Sequence, residues 1–278
     1  MICRRVFLGS GASFALLACA ARGQTKGLSL SGPLQQGSLV VGHAPGANVT
    51  VDGTAVMVSQ SGEFAFGLGY DQTKPTHLKA VYVDGTSEVR DLVPVLHHYE
   101  IQKVNGLPEN TVTPPPEILA RIERENALIA QARKRDSDLT DFASPFDWPI
   151  KGIVSGLWGS QRIDNGKPMA PHFGIDIAAP ANTPIHAPAD GVVSLAEPDF
   201  YLTGGTTLLD HGHGVSTVYI HQNELKVKAG DAVRRGNVIG LVGMKGRATG
   251  PHLHWGLNWF AMPLDPALSA VTPLPEKG

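Results

Sequence analysis

The stretch Gly250-Pro251-His252-Leu253-His254-Trp255-Gly256-Leu257 decides how this chain is read. Side chains alternate across a β-strand, so His252, His254 and Gly256 share one face while Leu253, Trp255 and Leu257 share the other. Such a strand rests its apolar back on a core and aims two imidazoles from positions about 7 Å apart along the sheet. Gly256 leaves open space beside them. The plainer alternative, two exposed histidines on a half-buried strand, gains nothing from that glycine.

Working outward, the chain from Phe146 onward keeps the texture of short strands dense in glycine. Asp190-Gly191-Val192-Val193-Ser194, Thr206-Thr207-Leu208-Leu209, Ser216-Thr217-Val218-Tyr219-Ile220 and Asn237-Val238-Ile239-Gly240-Leu241-Val242 are examples, and none carries a helical period. Seven of the eleven histidines fall in this part. In His172-Phe173-Gly174-Ile175-Asp176, residues four apart would lie about 13 Å from each other on a straight strand. The chain is therefore expected to bend or bulge there, which Gly174 permits. An imidazole and a carboxylate brought together suit a borderline ion such as Zn²⁺. His221 closes the strand that begins at Ser216, where alternation places it with Tyr219 and Thr217, and a strand-end imidazole suits proton transfer. Asp210-His211-Gly212-His213-Gly214 repeats the His-x-His spacing, but its glycines and aspartate predict a turn, so His211 and His213 are read as turn residues. His186, between Ile185 and Ala187, is read as structural.

The whole chain has 278 residues, a formal net charge of −2, 42% hydrophobic residues and 17% charged ones. That length predicts about two domains, and the near-neutral balance excludes a dedicated nucleic-acid binder. Nothing in the composition calls for an obligate protein partner. The only two cysteines, Cys3 and Cys19, exclude a disulfide framework or a thiolate cluster, so any metal must be held by His, Asp or Glu.

Both cysteines lie in residues 1–21, which read as an export signal: Arg4-Arg5, then an apolar run too short to span a membrane. Arg4-Arg5-Val6-Phe7-Leu8 resembles a twin-arginine signal, and an ordinary secretory signal fits equally. Ala18-Cys19-Ala20 fits a cleavage site, whereas Leu16-Leu17-Ala18-Cys19 resembles a lipobox that would attach a lipid, and with it a membrane, to Cys19. Either way the expected destination is the periplasm or cell envelope. Residues 25–100 alternate in short runs with Asp52-Gly53 and Asp84-Gly85 as two-residue hairpin turns, predicting a small β-sandwich. Its His43, His77, His97 and His98 are expected to be surface or core residues. Residues 101–147 are expected to form a linker with one amphipathic helix from Glu117 to about Arg135, striped by Ile118, Ile122 and Ile129 and capped by Thr113. A histidine-bearing β domain over 148–268 and a tail over 269–278 complete the mainly β architecture.

Taken in order, His172-x-Gly174-x-Asp176, Ala187-Pro188-Ala189-Asp190-Gly191-x-Val193, Tyr219-x-His221, Gly230-Asp231-x-Val233-x-x-Gly236-x-x-Ile239-Gly240 and Thr249-Gly250-Pro251-His252-Leu253-His254 closely resemble peptidase family M23, the lysostaphin-like zinc endopeptidases. The resemblance spans about Ser155 to Pro266 and implies an antiparallel β-sheet peptidase domain with a zinc groove. It implies His172, Asp176 and His254 as zinc ligands and His221 and His252 as catalytic histidines. Three ligands leave one tetrahedral position open, as catalysis requires. It also implies hydrolysis of peptide bonds in bacterial peptidoglycan stems or cross-links. Two departures, Gln222 where Leu is usual and Trp255 where Phe is common, are expected to reshape the groove.

Two other readings remain. One is a non-catalytic wall-binding protein that activates other wall hydrolases, with the linker helix or the loop 162–169 covering the groove. The other is a biotinyl or lipoyl carrier modified at Lys245, which explains none of the histidines.

Overall fold

The structure is a computed structural model that describes residues 27–273. The expected export signal, its arginine pair and both cysteines lie outside the described residues. Seven N-terminal strands form two antiparallel sheets: β1 (Ser29–Ser31), β2 (Leu39–His43), β3 (Ala47–Val51), β4 (Thr54–Val56), β5 (Glu63–Gly67), β6 (Thr76–Tyr82) and β7 (Ser87–Leu92), in the orders β1-β2-β5 and β4-β3-β6-β7. Along β6 the buried residues Thr76, Leu78, Ala80 and Tyr82 alternate with His77, Lys79 and Val81, so one face meets the core. Val40, Phe64 and Phe66 from the other sheet join Val49, Leu78 and Ala80 in that core. Asp52 and Gly53 both take positive φ, 48° and 79°, as a two-residue turn requires. Asp84-Gly85 differs from expectation. Only Gly85 has positive φ, and four residues, Val83 to Thr86, connect β6 to β7.

The stretch 101–147 is more than a linker. It contains β8 (Ile101–Val104), α1 (Glu109–Val112) and α2 (Pro116–Arg133), and its Phe142 and Phe146 are buried in the main core. Thr113 does not cap α2. It follows α1 and its hydroxyl bonds Glu109, while Pro115, extended at φ −66° and ψ 152°, precedes the long helix. The isoleucine stripe is half-buried and Ala132 fully so, which gives α2 a shallow seat rather than a deep one.

The remaining strands are β9 (Ile153–Gly156), β10 (Gln161–Asp164), β11 (Lys167–Pro168), β12 (Ile175–Ala178), β13 (Pro184–His186), β14 (Gly191–Phe200), β15 (Gly204–Gly212), β16 (Val215–Gln222), β17 (Glu224–Leu225), β18 (Ala232–Val233), β19 (Val238–Leu241), β20 (His252–Trp259) and β21 (Met262–Leu264). An eight-stranded sheet ordered β18-β14-β15-β16-β20-β12-β9, with β21 beside β20, carries the site. β8 pairs parallel with β10, so the connector enters the C-terminal body's own sheets.

The sheet has two different faces. Leu209, Tyr219, Leu253, Trp255 and Leu257 point into the large core with Phe142 and Phe146. Their neighbours Leu208 and Val218 point the other way, with Leu195 and Phe200, and are covered by Ala132 and Ile129 of α2. The helix therefore lies on the face that carries His254. Leu39 and Ala65 of the N-terminal sheets also enter the large core, so the two halves pack against each other.

Candidate metal centre

Register brings the ligands together. On the antiparallel pair β12–β20, Asp176 stands directly opposite His254 and Ala178 opposite His252. His172 precedes β12 and is pinned to the loop after β9: its N–H donates to Ser160 O at 2.9 Å and its carbonyl accepts from Gly159 N at 2.7 Å. The expected bend falls at Gly174. A Cβ there would meet His254 Nε2 at 2.3 Å, so only glycine lets the two segments approach this closely.

His172 Nε2, His254 Nδ1 and Asp176 Oδ1 converge at 2.8 Å, 2.9 Å and 3.0 Å from one another. His172 Nδ1 lies 3.1 Å from Leu157 O, a pure acceptor, so it carries the proton and leaves the Nε2 lone pair facing the cluster. Two imidazole nitrogens and one carboxylate oxygen form a donor set for Zn²⁺, and their spacing approaches the ~3.3 Å separation of ligands on a tetrahedral ion with bonds near 2.0–2.1 Å. The residues fit a metal. Burial alone would raise the Asp176 carboxyl, but His172 and His254 beside it outweigh burial and hold it well below the carboxylate range. Burial pushes His254 down to about 4, against the pull of Asp176. A deprotonated carboxylate and neutral imidazoles are the forms that bind metals.

Next to this cluster the rings of His221 and His252 stand 4.7 Å apart. His221 corrects the alternation argument. Thr217 and Tyr219 face the buried core, where their hydroxyls bond each other, and strict alternation would send His221 there too. Its φ is +62°, a left-handed residue that turns the side chain across to the face of His252 and His254. Such strained non-glycine backbone is typical of functional sites. Nδ1 of His221 donates to Lys245 O at 2.7 Å and Nδ1 of His252 to Gly250 O at 2.8 Å, leaving Nε2 as the free nitrogen of both rings. Burial, then the neighbouring His252 and His254, push His221 down to about 3, so it is neutral at physiological pH.

Other sequence expectations change. His211 lies inside β15 rather than in a turn, fully buried, with Nδ1 donating to Asp190 O and Nε2 accepting from Thr217 Oγ1. His213 does sit in the turn, at φ +50°. Gln222 and Trp255 do not reshape the groove. Both are buried, Gln222 donating to Thr207 Oγ1 and Tyr219 O, and Trp255 packing in the core. Lys245 contributes its carbonyl to His221, a role unrelated to side-chain modification. Sequence reasoning missed the arginines. Arg162 bonds Asp176 Oδ2, and Arg133 and Arg247 line the cavity beside His172 and His254. Arg133 was discoverable as a cation four residues after Ile129 on the helix's buried stripe.

A family model for Peptidase family M23 matches residues 170–266. The peptidoglycan DD-endopeptidase ShyA of Vibrio cholerae is 41% identical over 108 residues, 39% of this chain and 25% of its own. The DD-carboxypeptidase/endopeptidase Mpg of Neisseria meningitidis is 42% identical over 106 residues, 38% of this chain and 24% of its own. These matches thus span about a quarter of the curated relatives. A crystal structure assigned to peptidase M23 from Pseudomonas aeruginosa superposes with a TM-score of 0.65 at 30% identity, over 84% of this chain and 94% of that one. With that similarity extending across nearly all of a solved family structure, this chain belongs to peptidase family M23.

Proposed function

We propose that the protein is a zinc metalloendopeptidase that hydrolyses peptide bonds in bacterial peptidoglycan. The observation that carries this reading is the convergence of His172 Nε2, Asp176 Oδ1 and His254 Nδ1, with the neutral His221 and the ring of His252 beside it. Relatives named as peptidoglycan endopeptidases support the substrate class. His172, Asp176 and His254 would hold the ion. When bound, it supplies the Lewis acidity that makes water nucleophilic at neutral pH and polarises the scissile carbonyl.

The chain's own residues do the rest. Lys245 O and Gly250 O fix the tautomers of His221 and His252, so each free Nε2 can take a proton from water, and once protonated can donate to the carbonyl oxygen or the leaving amine. Burial keeps His221 unprotonated and ready to accept. Arg162 holds the second oxygen of Asp176 and so orients the first.

Export through the signal at residues 1–21 accords with a substrate outside the cytoplasm. The mass of the mature protein distinguishes cleavage after Ala20 from a lipid on Cys19. The decisive experiment is digestion of purified peptidoglycan with zinc-loaded protein and mass analysis of the soluble products. Release of peptides with new amino termini is expected. Intact wall after prolonged digestion overturns the peptidase reading in favour of a non-catalytic activator.

A further inference from the structure

On the α2 side of the metal cluster lies a cavity of about 280 Å³ that reaches His172 and His254 and carries three guanidinium groups. Two have carboxylates nearby. Arg162 bonds Asp176 Oδ2, and Arg247 Nε lies 3.9 Å from Asp164 Oδ2. The third, Arg133, has no carboxylate within ion-pair distance among the described residues, and its Nε is buried without a hydrogen-bond partner. Burial lowers its pKa to about 10, which leaves it cationic at neutral pH.

Three cations therefore face two carboxylates, and one of those carboxylates belongs to the metal cluster. A cation in the last turn of a helix is favoured by the helix dipole, but the dipole does not account for a guanidinium whose Nε is buried and unpartnered beside the site. Withdrawing it is costly unless something pairs with it. Its backbone is anchored at the site, because the adjacent Ala132 packs with Leu195, Phe200 and Leu208. A guanidinium at this point offers a planar fork that matches a carboxylate.

We propose that Arg133 forms a carboxylate-binding subsite beside the metal cluster, through which the enzyme selects peptides bearing a free carboxylate near the scissile bond. This rests on the peptidase reading and deepens it: the helix before the catalytic domain, outside the segment matched by the family model, contributes to substrate choice. The carboxylate comes either from the peptide's C-terminus or from a side chain.

The test uses the whole mature, zinc-loaded protein and three synthetic stem peptides. One has both carboxylates free, one has a C-terminal carboxamide, and one has its side-chain carboxylate converted to carboxamide. Wild type is expected to favour the free peptide over one of the amides by about tenfold or more in kcat/KM, chiefly through KM, as a charge-assisted hydrogen bond implies. The disfavoured amide identifies the source. In Arg133→Gln the ratio is expected to fall toward one, and Arg133→Lys, which restores charge without the fork, to recover part of it. Calorimetric binding of the same peptides to a His221→Ala protein gives a readout independent of turnover, with the same ranking expected. Equal treatment of all three peptides by wild type, or a preference that survives in Arg133→Gln, overturns the subsite. If no peptide is cut, the peptidase reading fails, and the binding measurement alone decides the subsite.

Discussion

The chain spells His-x-His twice, and the two pairs end in opposite places. His252 and His254 stand on β20 with β12 beside them, so a carboxylate, Asp176, falls directly across from His254. His211 lies on β15 beside β16, where its partners are a backbone carbonyl and the Thr217 hydroxyl, and its ring packs 5.0 Å from Phe146. The same spacing thus contributes to a candidate metal centre or makes a core hydrogen bond. What decides is the strand across the ladder: imidazoles become ligands when the register supplies an anion and a second segment supplies a third donor.

The sharpest way to break the comparison is to truncate one histidine of each pair. His254→Ala is expected to lose both bound zinc and wall hydrolysis, whereas His211→Ala keeps one zinc per chain. Metal analysis after dialysis reads the difference, and loss of zinc from both proteins would erase the distinction between the pairs. His221→Ala separates holding the metal from moving the proton. It is expected to retain zinc while kcat falls by about 10²–10⁴-fold, the usual contribution of a positioned acid or base. Equal zinc loss in His254→Ala and His221→Ala would reassign His221 as a ligand.

Much of the site was legible because it follows strand alternation. Leu253 and Trp255 point into the core and His252 and His254 away from it, as the period of two predicts. Gly174 advertised the bend that lets His172 join Asp176. His221 was legible as a residue but not as a direction, since a left-handed φ at one position cancels alternation and no local pattern announces it. Arg133 and Arg162 were harder still. One sits on a helix read as a linker and the other in a short strand whose parallel partner, β8, begins 60 residues earlier in the chain. Pairing across that separation is set by tertiary packing, which single-sequence periodicity does not carry. His211 was misread because Gly212 and Gly214, with Asp210 before them, suggested a turn two residues too early.

A smaller effect sharpens the role of backbone approach in the active pair. Gly174→Ala places a methyl against His254 Nε2, where 2.3 Å is far inside contact distance, while Gly174 itself lies outside the left-handed region. The ring must shift, and displaced ligand geometry is expected to weaken zinc binding by about 10–100-fold, as loss of an orienting partner does. Competition with a chelator measures the constant, and thermal unfolding of the metal-free protein checks that the fold survives. Unchanged affinity would mean that the cluster tolerates rearrangement and that Gly174 serves only the chain's bend.

The smallest effect concerns the silent pair. Burial pushes His211 from an ordinary value of 6.5 down to about 4, despite the Asp190 carbonyl that favours its proton. The unfolded chain therefore binds a proton at higher pH than the folded one. Above about 6.5 neither state is protonated and the contribution to stability is complete. Between about 6.5 and 4 only the unfolded state gains the proton, so stability falls with falling pH, and below about 4 the loss levels off. A difference of this size corresponds to at most about 3 kcal/mol. Because His221 and His254 titrate in the same direction, the test compares wild type with His211→Gln, both loaded with zinc, by urea unfolding across pH 4 to 8. The curves should separate in slope across that window, with the variant flatter on acidification. Parallel curves would show that the buried imidazole keeps its proton in the core, and that the two His-x-His pairs differ in their partners without differing in charge.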